Sequence, residues 1–269
     1  MNVTELPSLS VLLPSKDRSA LLKRQVACIM PQLTDKDQVV FLDDGSSDDT
    51  WRVMTKIARR RRDCVLHNDK ANGVNDAYNQ CARLADCEWL TGAADDDEVQ
   101  PGAYLAARTA ISECPEARIC FGRVQQSPLW FRAPTFVAAD RMNEFWNQVG
   151  KQDTHGAAAF IRRDVWGEGY THGKWMGDWW QAFKITVRHG CLFIPTVISN
   201  LGSNPGYSSQ HGDDAKYNKA LDQIREDVAS EACKDIRTAI MAYHSITRFL
   251  DHRQPMIQFH PRRVNVKRN

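Results

Sequence analysis

The chain has 269 residues, 42% hydrophobic and 25% charged, enough for one large domain or one and a half with a sizeable core. Its 35 basic and 33 acidic side chains leave a net charge of +2, so no global field calls for nucleic acid or an acidic partner. No apolar run approaches 18 residues and no charged start precedes an apolar core, so neither a spanning helix nor a secretory leader is expected.

The first hundred residues alternate short apolar runs with longer amphipathic ones, the pattern of β-α-β units around a mostly parallel sheet. Strands are predicted at 9–13, 38–42, 64–67 and 88–91, and helices at 18–30, 47–61 and 74–85. Ser46-Ser47-Asp48-Asp49 is N-cap material for the second helix. Each strand delivers polar residues at its carboxyl end: Ser15-Lys16-Asp17, then Asp43-Asp44, then Asn68-Asp69, and last Asp95-Asp96-Asp97-Glu98. In open α/β sheets ligands bind outside those ends, so these groups converge on one crevice.

The acidic triplet is the sharpest of them. Adjacent carboxylates raise one another's pKa unless a cation or donor groups compensate, and oxygen ligands on a short loop suit Mg²⁺ or Mn²⁺. The plain alternative is an acidic turn capping a helix that starts near Pro101. With no matching cluster of basic residues at this sheet edge, its three carboxylate clusters would repel unless they held a cation.

Downstream, 117–124 reads as a strand, 128–154 as an aromatic irregular region, 155–161 as a strand and 162–166 as a short helix. A loop rich in Gly, His and Trp spans 167–177. Asp178 then opens a helix over 179–188, with Gly190 beyond its end, and a strand follows at 191–198. A Gly/Ser/Asn loop at 199–212 leads to an amphipathic pattern over 213–250, read as two helices, and to a basic tail from His260. The run Arg59 to Arg62 reads as a solvated helix face. Eight cysteines, scattered without a Cys-x-x-Cys pair, favour a reducing compartment. The expected location is cytoplasmic, with at most peripheral contact at the inner face of a membrane.

Four segments carry a resemblance. They are Val11-Leu-Leu-Pro14-Ser15-Lys-Asp17-Arg18, then Phe41-Leu-Asp43-Asp44-Gly45-Ser46-Ser47-Asp48, then Asn72-Gly73-Val-Asn-Asp76-Ala77-Tyr-Asn79, and the acidic triplet followed by Pro101-Gly102. In this order and spacing, over roughly residues 8–212, the chain resembles the inverting glycosyltransferases of family two with the GT-A fold, similar to members of bacterial polysaccharide assembly. Where that family carries an Arg the chain has Tyr78, and where it carries the first Asp of the acidic motif the chain has Ala94.

The resemblance implies a Rossmann-like α/β domain over 1–212, with a nucleotide-binding half at 1–115 and an acceptor half at 116–212, then a helical extension and basic tail at 213–269. It implies donor contacts from Pro14, Ser15, Asp17, Asp43, Asp44, Gly73, Asp76 and Asp95, with Asp43 or Asp44 accepting from the nucleobase edge. It places Mn²⁺ or Mg²⁺ on Asp96 and Asp97 with His211, and Asp178 as the base that takes the acceptor's proton. His155, Trp175 and Trp179 are expected on the acceptor side; the bland readings are a helix cap for Asp178, structural histidines and core tryptophans. The implied partners are a nucleotide-diphosphate sugar and a glycan or lipid-linked acceptor, and no nucleic acid. Two other readings compete. A sugar nucleotidylyltransferase needs a Gly-rich phosphate loop after the first strand, which Pro14-Ser-Lys-Asp is not, and a non-catalytic nucleotide-sugar or glycan-binding subunit could dispense with Asp178.

Overall fold

The computed structural model describes residues 6–58, 62–125, 127, 131–149, 155–167, 169–170, 177–202 and 214–242. Its strands are β1 (Leu9–Ser15), β2 (Gln38–Asp43), β3 (Cys64–His67), β4 (Trp89–Gly92), β5 (Glu98–Val99), β6 (Ile119–Val124), β7 (Thr135–Val137), β8 (Ala159–Arg162) and β9 (Cys191–Asn200). They form one sheet in the order β3-β2-β1-β4-β8-β6-β9-β5, with β7 also on β9. The first four are parallel neighbours and β6 is parallel to β9, whereas β8 runs against both β4 and β6. Strands β1 to β4, β6 and β9 therefore share one direction.

β1 and β2 are buried at every position, as strands covered on both faces must be, and this is why they read as continuous apolar runs. The two-residue period sorts their side chains. Leu9, Val11, Leu13, Val39 and Phe41 join α1 (Ser19–Ile29) and α4 (Ala103–Ser112) in one core layer. Leu12, Val40 and Leu42 join α3 (Val74–Leu84) and α6 (Gly177–His189) in the other. α2 (Thr50–Ile57) opens after Asp48, whose Oδ1 accepts from the Thr50 N–H at 2.8 Å, and is shorter than the pattern over 47–61 predicts.

Several expectations need correction. The 128–154 region is not irregular throughout: it contains β7 and α5 (Met142–Val149), ordered because Phe145 and Trp146 pack on Phe193 of β9 with ring centroids 4.7 and 6.1 Å apart. The expected strand at 155–161 begins instead as a 3-10 turn, Gly156–Ala158, since glycine and two alanines offer little side chain to alternate. The expected helix at 162–166 is a 3-10 turn, Arg163–Val165. α4 starts from Gly102, with no side-chain cap, so the acidic triplet is not its cap.

The C-terminal helices α7 (Asp214–Ala229) and α8 (Arg237–Ala242) bury Ile224, Val228 and Ile240, with Ile236 just before α8, in the same core layer as Trp180 and Phe183 of α6. Polar bonds run along this seam. The Trp180 indole donates to Asp227 Oδ2 at 2.7 Å, Lys184 Nζ lies 3.5 Å from the same oxygen, and Arg188 pairs with Asp235 at 2.8 Å. No described helix is long and apolar enough to cross a membrane. All eight cysteines are free thiols.

Candidate active site

The parallel register sets Ser15 beside Asp43 and Asp43 beside His67, so the last residues of β1, β2 and β3 form one row at the carboxyl edge. The Asp43 side chain has 0% exposure; its Oδ2 lies 2.7 Å from His67 Nδ1, and its buried Oδ1 has no hydrogen-bond partner. Asp44 accepts from Asn68 Nδ2 at 3.0 Å and from the backbone N–H groups of Asn72 and Gly73 at 3.1 Å, which fixes the turn into α3. Asp17 accepts from the Ser47 N–H and hydroxyl, which hold its carboxyl below the usual range. Pro14 pairs in register with Leu42 inside the sheet, and Asp76 accepts from Gln80 Nε2 at 2.6 Å on α3.

The acidic loop hangs from the end of β4. Asp95 is buried and accepts from the Ser15 hydroxyl and from Arg18 Nη1, the latter at 2.8 Å, and the same guanidinium nitrogen lies 3.2 Å from Asp96 Oδ2. Arg24 donates to the Asp96 carbonyl at 2.9 Å and pairs with Glu98 at 3.3 Å. The triplet is thus not without a basic counterpart: α1 and the residue before it supply two arginines, and Arg18 offsets part of the repulsion. For Asp97 that compensation, from Arg24, is outweighed. Burial, reinforced by the charges of Asp96 and Asp95, pushes its carboxyl up to about 6, even though Oδ1 accepts from the Gly202 N–H at 2.9 Å.

The opposite wall arrives through the reversed strand. Because β8 runs against β4, its leading turn reaches the edge where the parallel strands end, and the Gly156 carbonyl lies against Gly92 at the end of β4. A Cβ on Gly156 would stand 2.7 Å from Asp178 Oδ2, so only glycine lets that carboxylate settle there. Asp178 occupies the first turn of α6, where its charge faces the positive end of the helix. The same turn is pinned from α3, since Asn75 packs so closely on Gly177 that a Cβ would meet its amide at 2.4 Å. Asn79 clamps the Tyr170 backbone with two 2.8 Å bonds, and Tyr78 covers Gly92 and meets Tyr170 edge-on with centroids 5.5 Å apart.

Residues 10–168 match the family described as Glycosyl transferase family 2. The chain belongs to that family. Among family relatives, a PGL/p-HBAD biosynthesis glycosyltransferase of Mycobacterium bovis is 27% identical over 163 residues, 60% of this chain and 61% of the relative. The chain therefore spans under two thirds of that relative's length. A GalNAc(5)-diNAcBac-PP-undecaprenol beta-1,3-glucosyltransferase of Campylobacter jejuni is 32% identical over 40% of this chain and 36% of its own. In fold the chain is similar to S. aureus TarS 1-349 in complex with UDP-GlcNAc, with a TM-score of 0.69 at 13% identity, covering 90% of this chain and 72% of that one. It is also similar to the Pyrobaculum calidifontis mannosyltransferase PcManGT in complex with GDP-Man and Mn²⁺, with a TM-score of 0.61 at 17% identity, covering 92% and 73%. These likenesses establish the mixed α/β fold of GT-A glycosyltransferases.

Within that family fold, the structure gathers Ser15, Asp17, Asp43, Asp44, Gly73 and Asp95 to Asp97 along one edge and sets Asp178 beside the end of β4. His155 is partly buried just before the Gly156–Ala158 turn. Trp179, half-buried, packs on Phe183 with ring centroids 5.5 Å apart at the margin of the core. Trp175 and His211 lie outside the described residues. Among the described residues no three His, Cys, Asp or Glu side chains form a ready ligand cage. Asp96 and Asp97 nonetheless suit a hard divalent cation: Mg²⁺-type sites commonly use one or two carboxylates and leave the rest to substrate phosphates and water, and the charges of Asp95 and Asp96 both act on the buried Asp97 carboxyl. Sequence reasoning assigned no role to Arg18, Arg24, His67, Asn75 or Asn79. Arg18, Asn75 and Asn79 stand inside the quoted motifs, which was the available signal.

Proposed function

We propose that this family 2 chain is an inverting glycosyltransferase that moves a sugar from a nucleoside diphosphate donor to a hydroxyl of a glycan or lipid-linked acceptor, in surface polysaccharide or glycolipid assembly. The observation that carries the reading is the contiguity of Gly92, Gly156 and Asp178: one candidate base stands a residue's width from the strand whose end bears the three carboxylates. The printed names of the relatives and the ligands of the fold neighbours support the donor class, and the Campylobacter relative's name supports a lipid-linked acceptor.

In this mechanism the loops after β1, β2 and β3 hold the nucleotide, and Asp95, fixed by Ser15 and Arg18, borders the sugar. Asp96 and Asp97 would hold a Mn²⁺ or Mg²⁺ ion, which when bound neutralises the charge gathering on the departing diphosphate. Asp178, in the first turn of α6, accepts the proton of the acceptor hydroxyl. The hydroxyl oxygen bonds to the anomeric carbon as the carbon–oxygen bond to the diphosphate breaks, with its electron pair leaving on the phosphate, so configuration inverts. The covered floor of Tyr78 and Tyr170 limits water on that face.

Incubation with UDP- and GDP-sugars plus Mn²⁺ should release nucleoside diphosphate by slow transfer to water, lost in Asp96→Ala. NMR of the freed sugar should report the anomeric configuration opposite to the donor's. Retained configuration would reject the single displacement, and failure of every such donor to bind would reject the nucleotide-sugar reading.

A further inference from the structure

The carboxylates expected to meet the nucleobase are largely engaged within the protein. Asp43 is fully buried behind His67, and Asp44 already accepts from Asn68, Asn72 and Gly73. The outward member of the row is His67, whose imidazole is 38% exposed at the end of β3. Trp51, 37% exposed on α2, lies beside it with ring centroids 5.0 Å apart.

We infer that His67, oriented by Asp43, is the residue that reads the nucleobase edge of the donor; this rests on the nucleotide-sugar reading above. The 2.7 Å contact turns Nδ1 to Asp43 and leaves Nε2 as the ring nitrogen a ligand would meet; a neutral ring that donates Nδ1–H to the carboxylate presents Nε2 as an acceptor. Asp69, fully exposed and 3.8 Å from Nε2, competes weakly from solvent. An outward acceptor favours a ring N–H: N3–H of uracil or thymine, or N1–H of guanine. The corresponding ring nitrogens of cytosine and adenine are themselves acceptors and would repel it there. The Trp51 and His67 rings together give the base an aromatic flank.

The test is calorimetric binding of UDP, N3-methyl-UDP, GDP and N1-methyl-GDP to the full chain with Mn²⁺, in wild type and His67→Phe. Methylation removes the N–H and should weaken wild-type binding of the preferred nucleotide about tenfold, near the upper worth of one neutral hydrogen bond. His67→Phe keeps the aromatic flank and should bind the parent and methylated nucleotides equally, about three- to tenfold more weakly than wild type binds the parent. Uniform weakening with discrimination preserved, as a merely structural histidine would give, overturns the assignment. So does a wild type indifferent to methylation. A wild type that binds none of the four removes the nucleotide reading itself, and His67's role with it.

Discussion

Asp178 and Asp97 are both carboxylates near the same crevice, yet their surroundings ask opposite things of them. Asp178→Asn keeps the size and the place in the first turn of α6 and removes only the proton acceptor. Nucleotide affinity should therefore hold within about twofold while transfer falls by about two to four orders of magnitude in a donor-turnover assay. Asp97, pushed up to about 6, holds its proton more tightly folded than unfolded, where an Asp titrates near 3.9. Its contribution to stability is present below about pH 4 and is lost as pH rises to about 6. In chelator, the melting temperature should fall across that window, and Asp97→Asn should flatten this part of the profile. The sequence made these carboxylates visible because they sit in short contiguous strings. It could not show that Arg18, 77 residues from Asp95, supplies their counter-charge, since that pairing exists only once β1 and β4 lie side by side.

At the level of elements, the four leading strands and the helices between them were legible because both faces of β1 and β2 are buried and each run ends in turn chemistry. β5 and β7, two and three residues long, are too short to show a period, and α5 is fixed by aromatic packing across the sheet. The turn at Gly156 is where element geometry and catalysis meet. Gly156→Ala would drive a methyl into the Asp178 carboxylate, and the α6 turn cannot retreat because Asn75 already presses on Gly177. Turnover should drop about 10- to 100-fold with nucleotide affinity nearly unchanged, as a misplacement on the order of 1 Å at a reacting group produces. Equal kcat values for the variant and wild type would show the carboxylate free to adjust.

Across the whole molecule, α6 is gripped at both ends: its first turn by α3 and its later turns by α7 and the segment before α8. Asp227 alone receives the Trp180 indole and the Lys184 ammonium, and Lys184 is buried. Asp227→Ala should cost about 2–4 kcal/mol in urea unfolding, by stranding a buried cation and an indole N–H. Replacing Lys184 as well, by Met, should recover part of that loss, because no charge is then left without a partner.

The reversed strand β8 also governs the order of events on the ribosome. β4 gains its first neighbour early, from β1, but Leu90 waits for Ile161 to be synthesised before its other edge closes. At roughly 5–20 residues per second that interval lasts on the order of several seconds, during which an apolar edge is open to pairing with any other nascent chain. Asp95, Asp96, Asp97 and Glu98 follow that edge within a few residues and repel such company. The same side chains that line the carboxyl edge of the folded sheet thus serve the newborn chain as gatekeepers against aggregation.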